Sequence, residues 1–88
     1  MHYTLKPRSE WTRNEVVGFH LGVLALHVDP LNGQLNVLAD ALELNAMTLT
    51  RWKAQGYVPF HQVKRLQKRY GKKLVPEDEL CPVEYRGN

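Results

Sequence analysis

The chain has few residues suited to covalent, metal or nucleophilic chemistry. Its 88 residues include one cysteine, Cys81, so no internal disulfide can form and a reducing compartment is expected. It has no glycine-rich phosphate loop, paired-cysteine motif or Ser-His-Asp order, and His20 and His27 lack a third metal ligand. The acids at 77–79 lie in a terminal segment that offers no desolvation for acid-base catalysis. We therefore expect neither an enzyme nor a bound metal or cofactor.

Long apolar runs are also missing. No stretch approaches the about 18 apolar residues of a transmembrane helix, and the first residues lack the apolar core of a secretory signal. The hydrophobic fraction of 43% and the charged fraction of 24% are those of an ordinary globular domain with one small core. These features predict a cytoplasmic protein with neither a membrane partner nor a small-molecule substrate.

The net charge of +3 is unevenly distributed along the chain. Residues 55–73 contain six basic side chains and no acidic one, whereas residues 74–88 carry a net charge of −3. A basic block suits a surface that faces DNA, because neutralised phosphates release counterions and this release favours binding. The alternative is a solvated basic helix face without a partner.

The apolar spacing predicts an all-α fold, a compact bundle of four to five short helices. Asn, Pro and Gly mark a turn at 29–33, and Gly56 and Gly71 are suitable helix ends. The predicted helices cover residues 12–28, 35–42, 45–55, 59–70 and 76–80. We divide the chain into an N-terminal arm, a folded domain and a C-terminal tail, at residues 1–11, 12–73 and 74–88.

The segment 35–53 predicts two short helices joined by a tight corner, the helix-turn-helix pattern. Apolar residues of its first helix recur at the i, i+3, i+4 and i+7 spacing, at Leu35, Leu38, Ala39 and Leu42. Asn45 is a favoured N-cap for the second helix, and Leu49 and Trp52 turn that helix's apolar edge toward the first. The opposite edge is left for an outside partner and carries Met47, Thr50, Arg51 and Ala54.

Four short motifs carry a family resemblance. They are Leu-Ala-Asp-Ala-Leu at 38–42, Thr-Leu-Thr-Arg-Trp-Lys at 48–53, Val-Pro at 58–59 and Glu-Leu-Cys-Pro at 79–82. In this order they make the segment 16–83 resemble the Cro proteins and related YdaS-type regulators, small helix-turn-helix repressors of prophages. These families commonly have a left-handed glycine at the corner, where this chain has Glu43. Either Glu43 adopts that strained conformation or the corner has a different shape.

The resemblance implies a lambda-repressor-like fold and a sequence-specific regulator of transcription that binds double-stranded DNA. Such a Cro-like repressor acts in a bacterial cell or phage-infected host by occupying an operator, as a homodimer that reads two half-sites. Apolar residues of the tail are the expected dimer contact, namely Leu74, Val75, Leu80, Val83 and Tyr85. Two alternatives remain: an excisionase-like or architectural DNA-binding factor, and a protein-interaction module that binds a host protein or a toxin.

The predicted DNA contacts follow from this geometry, in which the start and outer face of the second helix reach base edges. The expected base contacts are Ala46, Met47, Thr50 and Arg51. The expected phosphate contacts are Gln34, Asn36, Asn45, Lys53, Tyr57, His61 and Lys64. An arginine can bind guanine O6 and N7 together. The alternatives for Arg51 are a phosphate contact and a salt bridge with Asp40 or Glu43.

Overall fold

Residues 7–86 are described in the computed structural model of the chain, and within this range they form helices and turns but no strand. The α-helices are α1 at Arg13–Val28, α2 at Leu35–Ala41, α3 at Ala46–Gln55, α4 at Phe60–Tyr70 and α5 at Glu77–Leu80. Two 3₁₀ turns lie at Arg8–Glu10 and Val83–Tyr85. The predicted all-α bundle of short helices is therefore confirmed.

Local capping determines where the longer helices begin. At the start of α1, the Thr12 hydroxyl accepts the Glu15 backbone N–H at 3.2 Å, and the Glu15 carboxylate accepts the Thr12 N–H at 2.9 Å. This reciprocal capping box satisfies two backbone donors that a helix start leaves unpaired. At the start of α3, the Asn45 side-chain oxygen accepts the Met47 N–H at 2.8 Å. Asn45 is therefore the N-cap that the sequence predicts.

The core lies where α1 crosses α2 and α3, with α5 packed against α1 and α4. Leu49 and Trp52 point into it with 0% and 3% of their surface exposed, so the predicted inner edge of α3 is confirmed. Every α-helix contributes buried apolar residues, among them Leu21 and Leu24 of α1. This packing holds α3 firmly by one edge and leaves its other edge at the surface.

The corner between α2 and α3 adopts the left-handed form, with Glu43 at a φ of 59°. The Glu43 N–H donates to the Asp40 carbonyl at 3.1 Å, and the Leu44 N–H donates to the Ala39 carbonyl at 2.8 Å. These two bonds form a Schellman motif, which satisfies carbonyls at a helix end. Of the two possibilities for Glu43, the strained conformation is the one that the chain adopts.

The C-terminal segment is part of the core and does not form a separate tail. Val75, Leu80 and Cys81 are fully buried, and the Val58 N–H donates to the Leu80 carbonyl at 2.9 Å. Burial also raises the pKa of the Cys81 thiol, which makes it unreactive. Val75 and Leu80, two of the five residues predicted as a dimer contact, are therefore not accessible, because α5 packs directly on α1 and α4.

Only part of the proposed dimer contact is accessible as a result. Val83 and Tyr85 keep 73% and 39% of their surface exposed, whereas Leu74 is half-buried against the core.

The end of the predicted N-terminal arm is ordered. Residues 8–10 form a 3₁₀ turn, and the Arg8 guanidinium lies 4.7 Å from the centre of the Trp11 ring. Arg8 also forms an ion pair with Glu79. The end of the arm is thus folded onto the bundle, and the prediction for residues 1–6 lies outside the described residues.

Candidate nucleic-acid interface

The outer edge of α3 is an exposed strip with apolar and basic side chains. Met47 has 69% of its surface exposed. The exposed residues that share this edge are Met47, Thr50, Arg51 and Ala54. We call these four residues the α3 outer face. Ala46, the remaining predicted base contact, is half-buried and packs partly against the core.

The Arg51 side chain has no polar partner among the described residues. Its guanidinium makes no hydrogen bond or ion pair with any of residues 7–86, so the salt bridge to Asp40 or Glu43 is not formed. Guanidinium carries five N–H donors in a planar fork and no acceptor. All of these donors remain available to an external acceptor such as a base edge or a phosphate.

The polar side chains at the start of α3 are partly used by the helix itself. The Asn45 side-chain oxygen accepts the Met47 N–H, which leaves the two amide donors of Asn45 for a partner. The Thr50 hydroxyl approaches the Ala46 carbonyl at 3.4 Å, a long and weak contact. Its hydroxyl is therefore able to contact an outside group at small cost.

Gln34 and Asn36 lie at the start of α2, and both are exposed. The Gln34 backbone N–H donates to an Asp29 carboxylate oxygen at 3.1 Å, while its side chain makes no capping bond. Neither amide side chain has a hydrogen-bond partner among residues 7–86, so both can donate to a phosphate, the role predicted for them.

Two of the predicted phosphate contacts have partners within the protein. The Tyr57 ring stacks on the Tyr85 ring at 5.1 Å with an interplanar angle of 11°. The Lys64 ammonium lies 2.8 Å from a Glu77 carboxylate oxygen. This bond, followed by one from Gln67, lowers the pKa of Glu77 below its ordinary value. A phosphate would have to compete with Glu77 for Lys64.

The other two, Lys53 and His61, are exposed and unpaired among the described residues. The methylene stem of Lys53 covers Gly18 of α1, since a Cβ added at Gly18 would lie 3.0 Å from Lys53 Cε. The stem is thus packed while the ammonium stays in solvent, an arrangement common for lysine at protein surfaces. Lys53 therefore marks the edge of α3 that borders α1.

Two arginines that sequence reasoning did not assign hold the ends of α2 and α3. Arg65 donates to the Leu42 carbonyl at the end of α2. Arg13 Nε donates to the Gly56 carbonyl at 3.0 Å, and its Nη2 donates to the Glu79 carbonyl. These bonds join residues 23, 43 and 66 positions apart. A helix end with unpaired carbonyls was the only local signal that a donor is needed there.

The stretch of sequence that contains α3 and α4 carries charge of one sign. Residues 44–76 contain eight basic side chains and no acidic one. Within residues 7–86, no three His, Cys, Asp or Glu side chains are grouped to hold a metal ion. No helix in the same range has the length and apolar character needed to cross a membrane.

Comparison with protein families, curated proteins and solved structures finds no match to this chain. The likeness to the Cro and YdaS-type regulators therefore rests on the short motifs quoted above.

Proposed function

We propose that the protein is a sequence-specific regulator of transcription that binds double-stranded DNA with the α3 outer face. The observation that carries this proposal is Arg51, an exposed cation on a helix without acidic residues, which has no hydrogen-bond or ion-pair partner among residues 7–86. A side chain that contributes no ion pair to the fold is available for recognition. The packed pair α2 and α3, with its tight corner at Glu43, fits the helix-turn-helix that would present it.

The chemistry of the α3 outer face suits the major groove, which admits one α-helix. Arg51 has the fork that pairs with guanine O6 and N7, the commonest specific contact. Met47 is flexible and apolar and can adapt to a thymine methyl group. Ala46 and Thr50 offer small methyl contacts, and the Thr50 hydroxyl can also bond a base or phosphate.

The flanking polar residues would set the register on the duplex without reading sequence. Gln34 and Asn36 at the start of α2, and Lys53 and His61 beyond the recognition residues, are exposed donors for phosphates. A Cro-like repressor of this kind acts by occupancy, covering an operator so that polymerase or a rival regulator is excluded. Two copies reading half-sites about 34 Å apart would supply the specificity that one helix lacks.

The test is a binding selection from random duplex DNA at physiological salt, followed by measurement of single-residue variants on the selected site. Arg51→Ala is expected to lose about 1–3 kcal/mol of binding free energy and to relax the preference at one base position. Lys68→Ala, which removes an exposed cation of α4, is the matched control and should leave base preference unchanged.

Two outcomes would contradict the proposal. Selection of no preferred sequence, with weak binding that disappears as salt rises, would leave only phosphate attraction and favour the architectural or protein-interaction alternative. An Arg51→Ala protein with unchanged affinity and base preference would remove α3 as the reading element.

A further inference from the structure

The exposed side of α4 is basic along its whole length. The exposed residues of the helix all have basic side chains, and they are His61, Lys64, Arg65, Lys68 and Arg69. Lys72 and Lys73 continue the row in the turn that follows the helix. The first two residues of the row belong to the proposed interface, and Arg65 holds the end of α2. The other four cations have no assigned role.

These four residues form the α4 basic end, which consists of Lys68, Arg69, Lys72 and Lys73. None of their side chains has a hydrogen bond or an ion pair in the described part of the chain. The Arg69 guanidinium lies 5.9 Å from the centre of the Tyr70 ring, a contact that leaves its N–H donors unbound. The α4 basic end therefore presents positive charge that the fold does not neutralise.

The stability of α4 accounts for only part of this cluster. Cations in the last turn of a helix stabilise the carbonyl end of its dipole, and Lys68 and Arg69 occupy that turn. The effect fades beyond the last turn. Lys72 and Lys73 follow Gly71, where the helix ends, so the dipole gives no reason for their charge.

The α4 basic end lies beside the start of α2. Tyr70, the last residue of α4, packs edge-on against the His27 ring in the last turn of α1, with ring centres 5.6 Å apart. Two residues later, an Asp29 carboxylate oxygen accepts the Gln34 backbone N–H at 3.1 Å. Gln34 is the N-cap of α2 and a proposed phosphate contact. The end of α4 and this phosphate contact are thus joined through the end of α1.

The end of α3 lies at the opposite end of α1. There the Asn14 side-chain amide donates to the Ala54 carbonyl at 3.1 Å. Asn14 and His27 lie about 20 Å apart along one helix, given a rise of about 1.5 Å per residue. The α4 basic end is therefore remote from the end of α3 and adjoins the start of α2.

The composition of this surface selects among anionic partners. The apolar side of α4 is buried, with Val63 and Leu66 0% and 1% exposed, so the helix has no apolar face to insert into a membrane. No apolar residue is exposed between positions 61 and 73, whereas protein interfaces are centred on apolar or aromatic anchors. Cations without apolar neighbours suit the closely spaced phosphates of a duplex.

We propose that the α4 basic end binds backbone phosphates of the duplex that α3 reads, in the flanking DNA beyond the start of α2. The inference rests on the proposed function, which places Gln34 on a phosphate and so sets where the duplex runs. The flank is the expected position because the α4 basic end adjoins Gln34 and is remote from the end of α3. Contacts of this kind add affinity without reading bases.

The test compares the selected site alone with the same site extended by about ten base pairs, one helical turn, on each side. Lys72→Gln combined with Lys73→Gln removes two charges outside the helix. Affinity is measured by fluorescence anisotropy from ~50 to ~200 mM salt. On the extended duplex, the slope of log K against log salt should be shallower by about 2 in the variant, since each phosphate contact contributes about 0.9. On the site alone, the slope should change by less than about 0.5.

Two control proteins separate a local contact from net charge. Lys72→Arg combined with Lys73→Arg keeps both charges and should keep the wild-type slope. Ser9→Glu combined with Val83→Glu lowers the net charge by the same amount as the Gln variant, at exposed positions of the two 3₁₀ turns. This control should change the slope little. Thermal unfolding checks that each variant is folded, and base preference should be the same in all of them.

An unchanged slope in the Gln variant would overturn the inference, as would an equal change in the Ser9→Glu control, since either result indicates a solvated basic surface. Equal changes on both duplexes would overturn it too, because the contact would then lie within the selected site. A complex that holds two duplexes at once would likewise contradict binding to the flank of one.

Base preference separates these results from the proposed function. A protein that prefers the selected site, but whose slope is the same in the Gln variant, would contradict the inference alone. A protein that prefers no sequence, but whose slope on a long duplex of arbitrary sequence is shallower in the Gln variant, would contradict the function alone. In that case the α4 basic end would remain a phosphate contact.

Discussion

The α3 outer face and the C-terminal segment 74–86 both carry charged side chains, but of the two only the C-terminal segment forms ion pairs within residues 7–86. Glu77 binds Lys64, Asp78 binds Arg86, and Glu79 binds both Arg8 and His20. The charges of this segment hold it to α1 and α4. Arg51 on α3 has no comparable partner among residues 7–86, so the fold leaves its guanidinium available to another molecule.

This difference changes how the basic block of residues 55–73 is interpreted. Lys64 is occupied by Glu77, and Arg65 donates to the carbonyl at the end of α2. Two of the six cations therefore stabilise the domain itself. The exposed remainder lies toward the end of α4 and just beyond it, at Lys68, Arg69, Lys72 and Lys73. Local charge density in a sequence overstates the charge that is available for DNA.

Among the variants that test this difference, the largest change in stability is expected at Arg13. Its side chain joins the end of α3 to the C-terminal segment. Arg13→Ala removes the donor from the Gly56 and Glu79 carbonyls, and unpaired buried acceptors are costly. We expect the free energy of unfolding to fall by about 3 kcal/mol in urea denaturation. Arg51→Ala is the matched control and should change it by less than about 0.5 kcal/mol. Equal losses in the two variants would contradict the distinction between the two regions.

A smaller effect of opposite sign is expected at the corner that positions α3. Glu43→Gly removes the strain of a φ of 59° and should raise the free energy of unfolding by about 1 kcal/mol. Glu43→Ala keeps the Cβ that causes the strain, so it should have almost no effect. An increase of the same size in both variants would show that the carboxylate charge, rather than the backbone, is responsible.

The smallest effect concerns pH and involves His20 of α1, which contacts Glu79 of the C-terminal segment. Burial, with the nearby Arg8 and Arg13, lowers the pKa of His20 below its ordinary value of 6.5. As the pH falls below about 6.5, the unfolded chain gains a proton that the folded chain does not bind, so stability decreases. The decrease continues until the folded His20 is also protonated.

His20→Gln keeps a donor toward Glu79, whose carboxylate lies 2.8 Å from His20 Nε2, but it does not titrate. The pH dependence of unfolding in this window should be flatter in the variant, measured by thermal unfolding at a series of pH values. An unchanged profile would assign the dependence to another group.

The parts of the fold that the sequence predicts are those with local causes. Thr12 and Asn45 cap the helices that follow them, and the spacing of Leu49 and Trp52 fixes the inner edge of α3. By elimination, that spacing also exposes the α3 outer face, so the candidate site could be located before its surroundings were known.

The parts that the sequence does not predict depend on contacts between distant residues. No local pattern pairs Arg13 with Glu79, which lies 66 positions away, or Lys64 with Glu77 across a turn. The burial of Val75 was missed for a related reason, because it lies outside any helix and has no helical period around it. Which cations were free could therefore be decided only from the folded chain.

The most direct test of the central claim is a map of the DNA-binding surface by backbone amide chemical shifts. The isotope-labelled protein would be titrated with the duplex obtained by selection. The account predicts that the largest changes fall on residues 45–54 and at the start of α2, with small changes over residues 74–86. Changes concentrated on α4 and the C-terminal segment, with α3 unaffected, would contradict it.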